Sequence, residues 1–144
     1  MSDQSYATHR KWVPGYHFVL FLITVITWCG AIYNIYRAWE RGGGRGEAIL
    51  VFLLATCMAM AVFYLRIFAL KAQDRAIRAE ENFRHYLLYS EPLPADLKMR
   101  QVVGLRFASD EEFGALAKKA VEDGLSENAI KKSIKSWRGD FYRV

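Results

Sequence analysis

Residues 48–89 read AILVFLLATCMAMAVFYLRIFALKAQDRAIRAEENFRHYLLY, an apolar segment that runs into a charged, alanine-rich one without Gly or Pro. Nothing in this stretch stops a helix. At ~1.5 Å of rise per residue, a helix of about 40 residues is roughly 60 Å long, whereas the hydrocarbon core of a bilayer is ~30 Å thick. The pattern therefore predicts a transmembrane helix at 48–66 that continues as a cytoplasmic stalk helix at 67–90.

The average composition, 53% hydrophobic and 24% charged residues, conceals an uneven distribution along the 144 residues. The apolar residues concentrate before residue 71, and most of the charge follows it. The segment 91–144 can form only a small C-terminal helical module, which is too small for a large enzyme core. These features predict an all-α membrane protein: a two-helix transmembrane hairpin, the stalk and the C-terminal module.

A first span precedes this stretch. Residues 1–15 form a polar N-terminal segment, 16–39 the first transmembrane helix and 40–47 a Gly-rich hairpin loop. Phe18–Tyr36 contains no charged residue and is long enough to cross a bilayer. Pro14 suits a helix start, and the short loop makes the two spans antiparallel neighbours.

Aromatic and basic residues at the span ends predict anchoring and orientation. The expected membrane anchors are Trp12, Tyr16, Tyr36, Trp39 and Arg66. Seven basic residues flank the outer ends of the hairpin: Arg10, Lys11, Arg66, Lys71, Arg75, Arg78 and Arg84. Three flank the loop: Arg37, Arg41 and Arg45. This asymmetry predicts that both termini are cytoplasmic.

One face of the second helix carries small and apolar residues at alternating spacings of four and three, the a/d pattern of a heptad repeat. This predicted helix-packing seam comprises Leu65, Ala69, Ala72, Ala76, Ala79, Phe83 and Tyr86. It can pack on a second copy of the chain or on the protein's own C-terminal helices. We favour the intrachain contact, because two amphipathic helices follow.

The C-terminal module is predicted to hold three helices. The first covers 95–107, and the second begins at Ser109, whose sequence Ser-Asp-Glu-Glu is a capping box. Gly124 ends the second helix, and Ser126 caps a third. The apolar face of the third helix is expected to contain Ala129, Ile130, Ile134 and Trp137.

The third helix also bears a basic cluster that forms a candidate docking surface, composed of Lys131, Lys132, Lys135 and Arg138. With a glycine at the preceding corner, the cluster fits a helix-turn-helix module facing DNA phosphates. Any tight helix corner uses such a glycine, however, and basic residues near an anionic membrane surface have a separate explanation. The second interpretation is favoured, so nucleic acid is not the expected partner.

Residues suited to chemistry are few. His17 lies at the edge of the first span, where a pigment or haem is conceivable, but no second ligand stands at a suitable spacing. Cys29 and Cys57 are each placed within a span at comparable depth, which leaves a disulfide open. No catalytic residue, cofactor site or metal site is predicted.

Three runs carry a resemblance: QSYATHRKWVPGYHF, FALKAQDRAIRAEENFRHY and LRFASDEEFGALAKKAVEDGLSENAIKKSIKSWRGDFYRV. Together they resemble an uncharacterised family of small bacterial proteins with two predicted transmembrane helices, defined only as a domain of unknown function. The resemblance implies a bacterial inner membrane protein and supplies no activity or ligand.

The sequence thus favours a non-enzymatic accessory or scaffold subunit of the membrane, whose cytoplasmic module docks a protein partner or the membrane surface. The expected partners are the lipid bilayer and either a protein in a membrane complex or a second copy of the chain. The alternatives are a membrane-tethered helix-turn-helix-like DNA-binding protein and, more distantly, a pigment- or haem-binding subunit.

Overall fold

The structure, a computed structural model, describes Ser5, Tyr6 and residues 12–140. Arg10 and Lys11 of the charge count, and the last four residues of the chain, lie outside the described residues. The described residues form five α-helices and no strand, which confirms the all-helical prediction for this part of the chain. The helices are α1 Phe21–Arg41, α2 Arg45–Tyr89, α3 Met99–Leu105, α4 Asp110–Glu122 and α5 Glu127–Ser133, with a π-helical segment Gly15–Leu20 before α1.

The turn between α1 and α2 is shorter than the predicted loop at 40–47. Only Gly42, Gly43 and Gly44 lie outside the helices. Gly42 and Gly44 have φ angles of 71° and 75°, which glycine adopts without the steric cost of a side chain. The Ala48 N–H already donates to the Gly44 carbonyl at 3.0 Å, so Arg45 and Glu47 belong to the first turn of α2.

Two helices are long and apolar enough to cross a membrane: the one at Gly15–Arg41, which combines the π-helical segment with α1, and α2. The chain divides into an N-terminal unit, residues 12–69, and a C-terminal unit, residues 70–140 with Ser5 and Tyr6. Helix α2 supplies residues to both.

In the N-terminal unit, α1 and α2 meet through small residues and two long-range hydrogen bonds. The buried alanines are Ala31, Ala38, Ala48 and Ala55. The Trp28 indole donates to the Thr56 hydroxyl at 3.1 Å, and the Tyr16 hydroxyl donates to the Val62 carbonyl at 3.0 Å. Most large apolar side chains of this unit, such as Leu50 and Leu54, are exposed, as expected where small residues bring two helices together in lipid.

The core of the C-terminal unit is contributed by the end of α2, by the segment that follows it and by α3 to α5. Its fully buried large side chains are Phe107, Phe113, Leu97, Leu105, Ile130 and Val102. Ile77 of α2 belongs to the same cluster. Helix α3 packs so closely on α5 that a Cβ at Gly104 would lie 3.2 Å from the Glu127 carbonyl oxygen.

The third helix of this unit is shorter than its apolar pattern predicts. Helix α5 ends at Ser133, and Ile134 has an extended backbone with ψ of 124°. Trp137 instead lies opposite Ala108 in an isolated antiparallel bridge, and its ring packs on Phe107 at a centroid distance of 5.1 Å. A bridge and a helical turn both bury these apolar side chains, and the bridge additionally pairs the backbone of residues 107–109.

Candidate docking surfaces of the C-terminal unit

Within the C-terminal unit, a polar contact centred on Arg84 attaches the helices that follow to the end of α2. The guanidinium donates to Glu81 at 3.0 Å, to Asp110 at 2.6 Å and to the Ala108 carbonyl at 2.8 Å. It also lies over the Phe113 ring, 4.4 Å from the centroid. Glu81 is only 6% exposed, so the ion pair with Arg84 offsets the cost of taking its carboxylate out of water.

His85, directly after Arg84, and Tyr89, about one turn further along α2, extend this attachment. The Nδ1 atom of His85 lies 2.7 Å from the Glu91 carbonyl oxygen, so Nδ1 carries the proton and donates. The Tyr89 hydroxyl accepts from the Gly114 N–H at 3.1 Å and donates to the Asp110 carbonyl. A Cβ at Gly114 would stand 2.6 Å from this hydroxyl, so the contact requires glycine.

Two other polar side chains satisfy backbone groups inside the unit. The Gln101 amide donates to the carbonyls of Ala120 and Leu125 at 2.7 and 3.0 Å, at the end of α4. The Glu112 carboxylate accepts from the backbone N–H groups of Lys135 and Ser136. These bonds join the C-terminal segment to α3 and α4.

The predicted capping box at Ser109 does not form. Helix α4 begins as expected, but its N-cap residue makes no side-chain capping bond, and the Ser109 N–H donates to the Ser136 carbonyl. Glu112 is committed to residues 135 and 136 and does not reach back to Ser109. The Ser109 hydroxyl instead bonds the Glu111 carboxylate, and this bond, with the Glu111 N–H, lowers the pKa of Glu111 below its ordinary value. Ser126 does cap α5, accepting from the Ala129 N–H at 3.2 Å.

The predicted seam of α2 is not the face that the C-terminal helices cover. Its seven residues, Leu65, Ala69, Ala72, Ala76, Ala79, Phe83 and Tyr86, are all exposed. The covered face carries Ile77, Glu81, Arg84 and His85. As an intrachain contact, the seam prediction is therefore wrong, because ion pairs and hydrogen bonds, rather than alanines, provide the attachment. Packing of the seam on a second copy stays a prediction.

The predicted basic docking surface is smaller than expected, since Lys131 is only 6% exposed. Its Nζ atom donates to Glu127 at 2.6 Å and lies 5.4 Å from the centroid of the Phe107 ring. Lys132, Lys135 and Arg138 are exposed, although α5 carries only the first of these three. The guanidinium of Arg138 lies 3.9 Å from Glu81. The four residues do not form a single helical face.

The predicted membrane anchors lie in the N-terminal unit, where two of the five come together. The Arg66 guanidinium lies 5.6 Å from the Tyr16 ring centroid. At the other end, the Trp39 ring has Arg45 at 5.3 Å, and the Tyr36 hydroxyl donates to Glu40 at 2.6 Å. Trp12 is exposed and stacks on Phe18. Each contact pairs an amphipathic ring with a polar or aromatic neighbour.

The residues considered for chemistry remain apart from one another. The Nδ1 atom of His17 lies 3.0 Å from the Val13 carbonyl oxygen, and its ring packs edge-on against Trp12. Cys29 and Cys57 are free thiols. Among residues 5, 6 and 12–140, no group of three or more His, Cys, Asp and Glu is arranged to hold a metal ion.

A polar cavity of about 360 Å³ lies within the C-terminal unit. Its lining residues are Ile77, Glu80, Glu81, Arg106, Arg138, Gly139 and Asp140. Arg106 pairs with Asp140 at 3.3 Å, and Arg138 faces Glu81. The charges that line the cavity thus pair largely with one another, as in a structural ion-pair cluster.

Sequence reasoning missed the Arg84 contact. The i,i+4 spacing pairs Arg84 with Glu80 one turn earlier, and the position of Asp110 at a helix start predicts only an interaction with the dipole of α4. The available signal is a second stripe on α2 at the same spacings of four and three: Ile77, Glu81, Arg84 and Leu88. Because it mixes polar with apolar residues, this stripe resembles a solvated face.

The fold and these surfaces define a class: an all-helical protein with two helices long and apolar enough to cross a membrane, and with a helical C-terminal unit built on the end of the second. The chain belongs to a family of unknown function, DUF6526, whose family model matches residues 1–144. No curated protein and no solved structure matches the chain.

Proposed function

We propose that this protein is a non-enzymatic accessory or scaffold subunit of a bacterial inner membrane, with a cytoplasmic C-terminal unit that docks a protein partner. The observation that carries the proposal is the dual composition of α2. The first part of this single helix exposes large apolar side chains such as Leu50, Leu53 and Leu54, whereas the last part supplies Ile77 and Glu81 to the core of the C-terminal unit. A helix of this kind fixes a folded unit to a bilayer.

The proposed orientation follows from the Lys and Arg count, seven at the outer ends of the hairpin against three at the loop. Basic residues near the ends of spans are retained on the cytoplasmic side. Both termini are therefore assigned to the cytoplasm, and the turn at residues 42–44 to the opposite side.

A binding role suits the way in which the charges of the C-terminal unit are used. Arg84, Arg106 and Lys131 each lie in an ion pair with a carboxylate of the same unit. These pairs hold the fold together, and the exposed Lys132 and Lys135 remain at its surface. We assign these two lysines to the docking of an acidic protein segment, which their charge favours electrostatically.

DNA binding has less support. A recognition helix needs several side chains that reach base edges and phosphates from one face. Helix α5 has 7 residues, and the Lys131 side chain is turned toward Glu127 and Phe107.

Membrane insertion and orientation can be tested on the intact protein. We expect it to stay in the membrane pellet during alkaline carbonate extraction. Reporter fusions after Val144 and within residues 42–44 should report opposite sides, with the C-terminal reporter in the cytoplasm. Release by carbonate, or a loop reporter active only in the cytoplasm, would contradict the proposal.

The docking surface needs a separate test. A photoreactive amino acid at position 135 should give a discrete adduct, heavier than the monomer and distinct from a dimer, after irradiation of native membranes. The matched control is position 118, since Lys118 is also an exposed lysine but lies on α4. Equal labelling at both positions, or adducts sensitive to nuclease, would contradict a specific protein-docking role for Lys135.

A further inference from the structure

Helix α2 has two opposite faces within the C-terminal unit, and only one is covered. Ile77, Glu81 and His85 are buried against the following helices. The other face consists of Ala72, Ala76, Ala79, Phe83 and Tyr86, all exposed. Phe83 is 63% and Tyr86 54% exposed, so the C-terminal end of this face presents two aromatic rings to solvent. We refer to these five residues as the open face.

The open face has the geometry of a coiled-coil seam. Its spacings of four and three place Ala76 and Phe83 at a positions and Ala72, Ala79 and Tyr86 at d positions of a heptad repeat. Alanine at a and d lets two helices approach closely, since interaxial distance depends on the side chains at the contact. The covered residues fall at b, c and f, so the C-terminal helices leave this seam unobstructed.

The positions beside the seam carry complementary charge. Arg75 occupies a g position and Glu80 the e position five residues later. In a parallel two-stranded coiled coil, a g residue faces the e residue of the following heptad on the partner helix, so Arg75 of each copy meets Glu80 of the other. Arg84, which lies one turn after Glu80, pairs instead with Glu81 and Asp110. Within the described residues, neither Arg75 nor Glu80 forms an ion pair.

We propose that the open face binds the open face of a second copy of this chain in a parallel, two-fold symmetric pair. The charge pattern favours the parallel arrangement. An antiparallel pairing centred on Ala76 and Ala79 would set Arg75 against Asn82 and Glu80 against Gln73, without an ion pair. Two copies inserted in one bilayer with the same orientation also present their α2 helices in parallel, and this part of the argument rests on the proposed function.

Phe83 and Tyr86 belong to the C-terminal unit and not to the apolar segment of α2, which ends before Arg66. We therefore assign the cover of these two rings to protein and not to lipid. Aromatic side chains in contact across an interface are favourable beyond the area they bury. In a parallel pair, Phe83 and Tyr86 of one copy lie at the same height along the helix axis as Phe83 and Tyr86 of the other copy.

Cross-linking of the full-length protein tests the contact. In a background with Cys29→Ala and Cys57→Ala, we expect Ala79→Cys to form a disulfide-linked dimer in native membranes under a mild oxidant. The matched control, Arg78→Cys, lies one residue away on α2 and is exposed outside the seam, and it should react several-fold less. Equal cross-linking of both variants, or none at position 79, would overturn the proposal.

Charge exchange tests the direction of the helices. Arg75→Glu and Glu80→Lys each set like charges against each other twice in a homodimer, which should weaken it about 3- to 30-fold at the strength of exposed ion pairs. A mixture of the two variants, carrying different affinity tags, should recover the heterodimer, because the carboxylate introduced at position 75 of one chain then faces the ammonium group introduced at position 80 of the other. Failure of the mixture to recover the dimer would exclude the parallel arrangement.

The two proposals can fail independently. Cross-linking is repeated in mild detergent, where the dimer contact remains although the bilayer does not. Cross-linking at position 79 together with release by carbonate would contradict the proposed membrane insertion and support the dimer. Resistance to carbonate without cross-linking would contradict only the dimer.

Discussion

Arg84 joins three chain segments through one side chain, so its removal is expected to be costly. Among the described residues, Arg84→Ala leaves Arg138, at 3.9 Å, as the only cation beside the buried Glu81. It also leaves the Ala108 carbonyl without its side-chain donor. Breaking a buried ion pair by removing one partner lowers the free energy of unfolding by about 3–5 kcal/mol. Because Asp110 is exposed and its pairing is screened by solvent, we expect a loss of roughly 2–4 kcal/mol for Arg84→Ala. Pulse proteolysis of the full-length protein across a urea series measures this loss. The control Arg78→Ala, on an exposed part of α2, should change stability by less than about 0.5 kcal/mol. Equal effects would show that Arg84 does not attach the unit.

Gly114→Ala is expected to destabilise the protein when Tyr89 is present and to stabilise it when Tyr89 is replaced by alanine. Gly114→Ala places a Cβ 2.6 Å from the Tyr89 ring and hydroxyl, so the ring must move and lose its hydrogen bonds. We expect a loss of about 1–2 kcal/mol. In a Tyr89→Ala background the obstacle is gone, and the same substitution should stabilise α4 by up to about 1 kcal/mol through helix propensity. The same proteolysis assay reads both values, and a loss of equal size in both backgrounds would show that Tyr89 is not the cause.

At the level of single helices, two serines that are both predicted at helix N-termini behave differently. Ser126 accepts from the Ala129 N–H, so Ser126→Ala should cost about 1 kcal/mol. Ser109 makes no capping bond, and Ser109→Ala should cost less than about 0.5 kcal/mol. Thermal unfolding followed by protease resistance compares the two variants under identical conditions. A larger loss at position 109 would contradict the assignment of these caps.

The helices were predictable from periodicity and from their stop signals, whereas the contacts between them were not. The absence of Gly and Pro predicts the length of α2, and Gly124 ends α4 with φ of 59°, as expected of a helix C-terminus. The covered face of α2 is not the face that the alanine spacing predicts. Apolar spacing identifies alanines as a packing face, but the Arg84 guanidinium is satisfied by Ala108 and Asp110, which lie 24 and 26 positions later in the chain. A single sequence does not reveal such pairs.

The same limit applies to α5 and to Glu112. Ile134 and Trp137 continue a helical apolar pattern, but the backbone of residues 135 and 136 finds a better partner in the Glu112 carboxylate. A carboxylate that accepts two backbone N–H groups offsets the loss of one helical turn. Local pattern therefore located the helix start at Ser126 but not its end.

At the scale of the whole molecule, the boundary of the folded C-terminal unit is expected within α2 and not at the prolines that follow it. A fragment covering residues 91–144 lacks Ile77, Arg84 and Tyr89, which contribute a core side chain, a buried ion-pair centre and the partner of Gly114. About 54 residues bury too small a fraction of their surface to fold readily alone. We therefore expect the 70–144 fragment to be helical and to unfold cooperatively by circular dichroism, and the 91–144 fragment to show no cooperative transition. Arg84→Ala in the longer fragment serves as a graded control, with a lower midpoint than the unsubstituted fragment. If residues 91–144 unfolded cooperatively with the same midpoint as 70–144, α2 would be a tether for the unit and not a part of its core.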